Sequence, residues 1–236
     1  MPENRSACEN SLEFVRAGSI DAMTHYPQNL CGVGRDGNVG IGVPMFDCWA
    51  NLGNLGGWTL RSLAIAPNGW IYGVGTQGNV GIWTLGGWQT QDAPHGWSVK
   101  SLAWGPDGTL WCVGMDGNAG IWSNNQWQDQ GNLGGWTLKM LAFDSLGRKY
   151  CVGTDGNVGR WVDTQWVDSG YNGWSLDMLT FDNAGDAWCV GTQGNVGGWT
   201  NGGWYNIKGY PGGWDMAWLL FAPAQPLFDG RACAIA

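Results

Sequence analysis

Trp58, Trp97, Trp136, Trp174 and Trp214 each follow a glycine and recur at intervals of 39, 39, 38 and 40 residues. An indole face stacks well on the C–H face of a sugar, and planar amides or carboxylates answer its hydroxyls. Groups of that kind recur with the same period, in Asp36-Gly37-Asn38, Gln77-Gly78-Asn79, Asp116-Gly117-Asn118, Asp155-Gly156-Asn157 and Gln193-Gly194-Asn195. The candidate carbohydrate-binding set is therefore the five Gly-Trp indoles with Asn38, Asn79, Asn118, Asn157, Asn195, Asp116 and Asp155. A reading without a ligand competes with it. Asp-Gly and Gln-Gly are hairpin chemistry, and the Asn that follows can bond its own backbone.

Other columns run in phase with these. Three residues after each Trp stand Arg61, Lys100, Lys139, Asp177 and Ala217, with Asp21 in the first unit. That column reads either as a solvated rim or as sites whose basic members tolerate an anionic sugar or a lipid headgroup. Two further Trp columns, Trp83, Trp122, Trp161, Trp199 and Trp49, Trp88, Trp127, Trp166, Trp204, suit the wedge between neighbouring units. Large flat rings there would each bury about 150–250 Å².

A repeat of this length is one supersecondary unit that must pack on its copies. Four short strands can be read in one copy, near Ser101–Trp104, Leu110–Val113, Ala119–Trp122 and Gln126–Asp129, with turn residues between them. Four antiparallel strands per repeat make the blade of a β-propeller. Because strand direction alternates, the Gly-Trp loop and the second-to-third-strand hairpin should emerge on one rim. The inner-strand phrase occurs six times if residues 19–42 are counted as a copy lacking its Trp. Six units of about 39 residues would fill the chain. The expectation is an all-β, single-domain propeller over residues 1–236, with six four-stranded blades. The copy starting at Trp214 would be closed by strands from both termini, with Ser11–Arg16 as its outer strand. A five-bladed ring is the alternative.

Composition narrows the function. A net charge of −8 disfavours a nucleic-acid partner, whose phosphates are met by Lys and Arg. No apolar run reaches the roughly 18 residues of a membrane helix, so no membrane insertion is expected. Residues 1–5 lead into no apolar signal-peptide core, which suggests a cytoplasmic protein or a mature secreted form. Only His25 and His95 exist, and no His/Cys cluster has zinc spacing. Asp-Gly-Asn lacks the alternating acidic residues of a calcium loop. No metal or cofactor is expected, and no nucleophile elbow or Walker loop appears. These absences point away from an enzyme. Cys112, Cys151 and Cys189 share one repeat position as small structural residues would, and Cys8 and Cys48 could pair.

Gly134-Gly135-Trp136, Leu141-Ala142-Phe143 and Lys149-Tyr150 together form a phrase that resembles the lectin propellers of the tachylectin and tectonin kind. The resemblance implies a small propeller binding N-acetylated or O-methylated sugars or lipopolysaccharide, usually in innate defence. The expected function is a multivalent lectin, a monomer or small homo-oligomer, binding glycans on cell or microbial surfaces through repeated rim sites. Avidity would supply about 10²–10⁴ beyond a single site. A protein–protein interaction scaffold is the alternative, and an enzyme or redox protein using the Cys column is a third reading.

Overall fold

In each repeat, short apolar runs alternate with turns built from Gly, Asn, Asp and Pro, and each run forms a strand. A computed structural model describes residues 29–43, 48–84, 87–91, 97–124, 126–182, 184–200, 202–206 and 215–222. Three strands come first: β1 (Asn29–Gly34), β2 (Val39–Val43) and β3 (Cys48–Gly53). The next repeat gives β4 (Leu60–Ile65), β5 (Ile71–Gly75), β6 (Val80–Thr84) and β7 (Gly87–Gln91). It is followed by β8 (Val99–Trp104), β9 (Leu110–Gly114), β10 (Ala119–Ser123) and β11 (Gln126–Gly131). Next come β12 (Leu138–Phe143), β13 (Lys149–Gly153), β14 (Val158–Val162) and β15 (Gln165–Asp168). The last repeat gives β16 (Leu176–Phe181), β17 (Ala187–Gly191), β18 (Val196–Thr200) and β19 (Gly203–Asn206), and β20 (Met216–Ala222) stands alone after it.

The strands form five four-stranded antiparallel sheets, so the propeller has five blades and not six. The terminal pieces explain the difference. β20 pairs with β1, from Asn29 opposite Ala222 to Gly34 opposite Met216, in a sheet ordered β20-β1-β2-β3. The partial copies at the two ends, counted in the sequence as two blades, are therefore two parts of one. Closure comes from a C-terminal inner strand, β20, added to the three N-terminal strands. Residues 11–16, the inner-strand phrase at 19–28 and Leu227-Phe228 lie outside the described residues. Inner strands β4, β8, β12, β16 and β20 then touch in succession, and β20 meets β4 to close the ring.

Leu60, Leu138, Leu176 and Leu219 on the inner strands, with Val74, Val152 and Val190 on the second strands, are at most 2% exposed and form the core. Aromatic pairs join blade to blade near the ends of four of the inner strands: Tyr72–Trp104, Trp111–Phe143, Tyr150–Phe181 and Trp188–Phe221, with centroids 4.8–6.3 Å apart. Within four blades the third- and fourth-strand tryptophans meet edge to face, as Trp161 and Trp166 do at 4.9 Å and 72°. Such pairs add about 0.5–1.5 kcal/mol each beyond the area that they bury.

The second-to-third-strand hairpins lock the blades together. Leu60, Val99, Leu138, Leu176 and Met216 each donate their N–H to the carbonyl of Gly37, Gly78, Gly117, Gly156 or Gly194 in the preceding blade, at 2.9–3.3 Å. All five junctions are closed in this way. Gly117 shows why glycine is needed: its φ is +84°, and a Cβ there would overlap the Thr137 methyl group. Among the described residues no helix is long and apolar enough to cross a membrane.

Candidate functional site

The propeller presents two rims around its axis. The hairpin rim carries the second-to-third-strand hairpins and the Gly-Trp loops. The turn rim carries the first-to-second-strand turns and the far ends of the inner strands.

On the hairpin rim the candidate indoles are partly buried. Trp136 lies over its own blade, against the positions where a Cβ on Gly153 or Gly159 would stand, 3.2 Å from each. Trp97 meets Gly114 and Gly120 in the same way, Trp174 meets Gly191 and Gly197, and Trp58 meets Gly81. Trp58 also stacks on Trp88 at 5.5 Å and 29°. Trp214 lies outside the described residues. The polar partners are largely committed to their own turns. The side-chain amides of Asn38, Asn118 and Asn157 donate to Asp36, Asp116 and Asp155 at 2.7, 3.0 and 2.7 Å. The other oxygen of each Asp accepts the Asn backbone N–H at 3.0 Å. Where Gln replaces Asp, the side chains of Asn79 and Asn195 fold back over Gly75 and Gly191. One blade brings two candidates together: Trp174 and Asn195 line an open hollow of about 350 Å³ with Gln193 and Thr192.

The column of charges three residues after the tryptophans surrounds the axis on this rim. Lys139 reaches Asp177 at 2.9 Å and the Leu176 carbonyl at 3.0 Å. Arg35 bridges Asp177 at 3.2 Å and Asp215 at 3.0 Å, and donates to the Thr192 carbonyl at 2.7 Å. Arg35 belongs to none of the candidate repeat columns. It occupies the hairpin position held elsewhere by Thr76, Met115, Thr154 and Thr192, and Asp177 is 142 residues away in the chain.

The turn rim is different in chemistry. The inner strands enclose an apolar cavity of about 210 Å³, lined by Met140, Met178, Trp218 and, towards this rim, Ile65, Trp104, Phe143 and Phe221. The Trp218 indole N–H donates to the Leu63 carbonyl at 2.8 Å. The buried Trp104 indole N–H has no hydrogen-bond partner. Around the mouth, three consecutive blades expose apolar turn residues: Trp70 at 52%, Pro106, and Leu146 at 75%. Sequence reasoning missed this arc because Trp70 falls outside all three Trp columns, and Leu146 stands where other repeats have Asn68, Asp107 and Ala184.

Cys112, Cys151 and Cys189 are buried and in no disulfide. Burial raises all three thiols, Cys151 to about 12, so this column offers no thiolate nucleophile near neutral pH. Cys8 and the side chain of Cys48 lie outside the described residues.

No family model matches the chain, and no curated protein matches it. Solved structures do resemble it. A symmetrical protein of de novo evolutionary emergence is 17% identical, with a TM-score of 0.54, over 82% of this chain and 98% of that one. A putative gluconolactonase is 14% identical, with a TM-score of 0.52, over 77% of this chain and 78% of that one. YCF48 bound to a D1 peptide is 13% identical, with a TM-score of 0.48, over 78% and 79%.

The chain is a five-bladed β-propeller related in fold to other propellers. Two expectations are corrected here. The same fold is found in a putative gluconolactonase, so missing sequence motifs do not make this chain a non-enzyme. The expectation of a carbohydrate-binding lectin of innate immunity is corrected as well. The resemblance to tachylectin and tectonin reaches the propeller architecture and no further, and a solved structure of this fold is a putative enzyme.

Proposed function

We propose that this propeller is a recognition scaffold that engages a protein partner through its turn rim. The apolar arc of Trp70, Pro106 and Leu146 around the mouth of the apolar cavity carries this reading. Large exposed apolar groups grouped around a concavity are the usual anchor chemistry of protein interfaces, and Trp is prominent among residues that dominate binding energy. The unpartnered indole N–H of Trp104 adds a buried donor that an acceptor on an inserted side chain would satisfy. On the hairpin rim, by contrast, the Asn and Asp groups bond within their own turns.

The test is affinity capture with the native chain and with Trp70→Asp/Leu146→Asp, after circular dichroism has established that both are folded. A Gln193→Ala variant on the hairpin rim serves as control. Proteins held by the native chain and by Gln193→Ala should be lost from the double variant, with affinity falling at least about 30-fold. Retention by the double variant together with loss from Gln193→Ala would overturn the reading.

A further inference from the structure

The charges at the hairpin-rim mouth are divided between two sides. On one side, Lys139 and Arg35 share the carboxylates of Asp177 and Asp215. On the other, Arg61 and Lys100 form no salt bridge among the described residues. Arg61 donates to the Thr76 carbonyl at 3.1 Å and turns its other terminal nitrogen to the Met115 sulfur, a weak acceptor, at 3.1 Å. Lys100 makes one bond, at 3.3 Å, to the Leu138 carbonyl. Both side chains are partly buried. Burial lowers the Lys100 pKa, and the nearby Arg61 and Lys139 charges add to that effect, with Asp116 opposing it. Burial also lowers Arg61. Two partly desolvated cations that make no salt bridge, with Asp116 acting on Lys100 only through space, are costly to hold together, and an anion between them would relieve both.

A third group belongs to the same junction. Ser62, next to Arg61, is fully buried, and its hydroxyl has no partner. One blade further on, the equivalent Ser101 hydroxyl donates across the blade junction to the Lys139 carbonyl at 3.3 Å. Ser62 makes no such bond. The junction between the second and third blades therefore holds one guanidinium, one ammonium and one spare hydroxyl.

We propose that Arg61, Lys100 and Ser62 form a site for a small oxyanion, a carboxylate or a phosphate group, at the hairpin-rim mouth. A guanidinium presents paired N–H donors to two oxygens of such a group, and the ammonium and hydroxyl add further donors. The site lies on the rim opposite the proposed protein surface, so either proposal stands or falls without the other.

Inorganic phosphate and acetate, each titrated into the full chain at constant ionic strength, test the site by calorimetry and by thermal unfolding. Saturable binding that raises the melting temperature is the expected result. Binding of phosphate alone assigns a phosphoryl group, and binding of both assigns any oxyanion. Arg61→Gln and Lys100→Gln should each weaken binding about tenfold, equivalent to about 1.4 kcal/mol. Arg160→Gln, which removes the same charge elsewhere, should leave it unchanged, and Arg61→Lys should restore part of the loss. Absence of saturable binding for both anions would overturn the proposal. So would binding that survives in a folded Arg61→Gln/Lys100→Gln variant.

Discussion

Gly117→Ala is expected to lower stability by about 4 kcal/mol, the sum of left-handed backbone strain, overpacking and a weakened hydrogen bond. The strain arises because φ at Gly117 is +84°, and the overpacking because the new methyl would overlap the Thr137 side chain of the next blade. The hydrogen bond at risk is the 3.0 Å bond from the Leu138 N–H to the Gly117 carbonyl. In a chain of this size the loss should lower the melting temperature by roughly 10 °C. Gly135→Ala is the internal control, since φ there is +78° but no atom lies within 4 Å of a Cβ. It should cost only about 1–2 kcal/mol. Equal losses in the two variants would mean that the hairpin does not lock one blade to the next.

Trp136→Ala should cost about 3 kcal/mol, near the lower end for truncating a buried aromatic side chain because the ring is partly exposed. The ring covers Gly153 and Gly159 and packs against the cluster of Leu138, Leu141 and Cys151. Its removal leaves a void that two glycines cannot fill. Urea unfolding measures the effect as a shift in midpoint. A loss below about 1 kcal/mol would mean that the ring is dispensable for packing and return it to the candidate ligand contacts.

Much of this fold was legible in the sequence. The strand read at Gln126–Asp129 runs to Gly131, and that read at Ser101–Trp104 begins at Val99. Blade number was also legible, though in a different place from the one that suggested six. Five Asp/Gln-Gly-Asn hairpins are present, one per blade junction. The inner-strand phrase overcounts, because a short apolar phrase before β1 resembles an inner strand whose place β20 takes. The site was less legible. An indole that stacks on a ligand and one that stacks on glycine follow the same Gly-Trp pattern, and the deciding glycines, such as Gly153 and Gly159, stand 17 and 23 residues further on. Nor could the periodicity reveal Arg35 beside Asp177, since that pair forms only when the ring closes.

Protein recognition on the turn rim, with the hairpin rim locking the blades into a ring, is open to a direct test. A photo-crosslinking residue placed at position 70, at 146 or at 193, in three separate preparations, tests it in extract of the source cells. Discrete crosslinked products with a protein partner are expected from positions 70 and 146, and none from 193. Products from position 193 alone would contradict it.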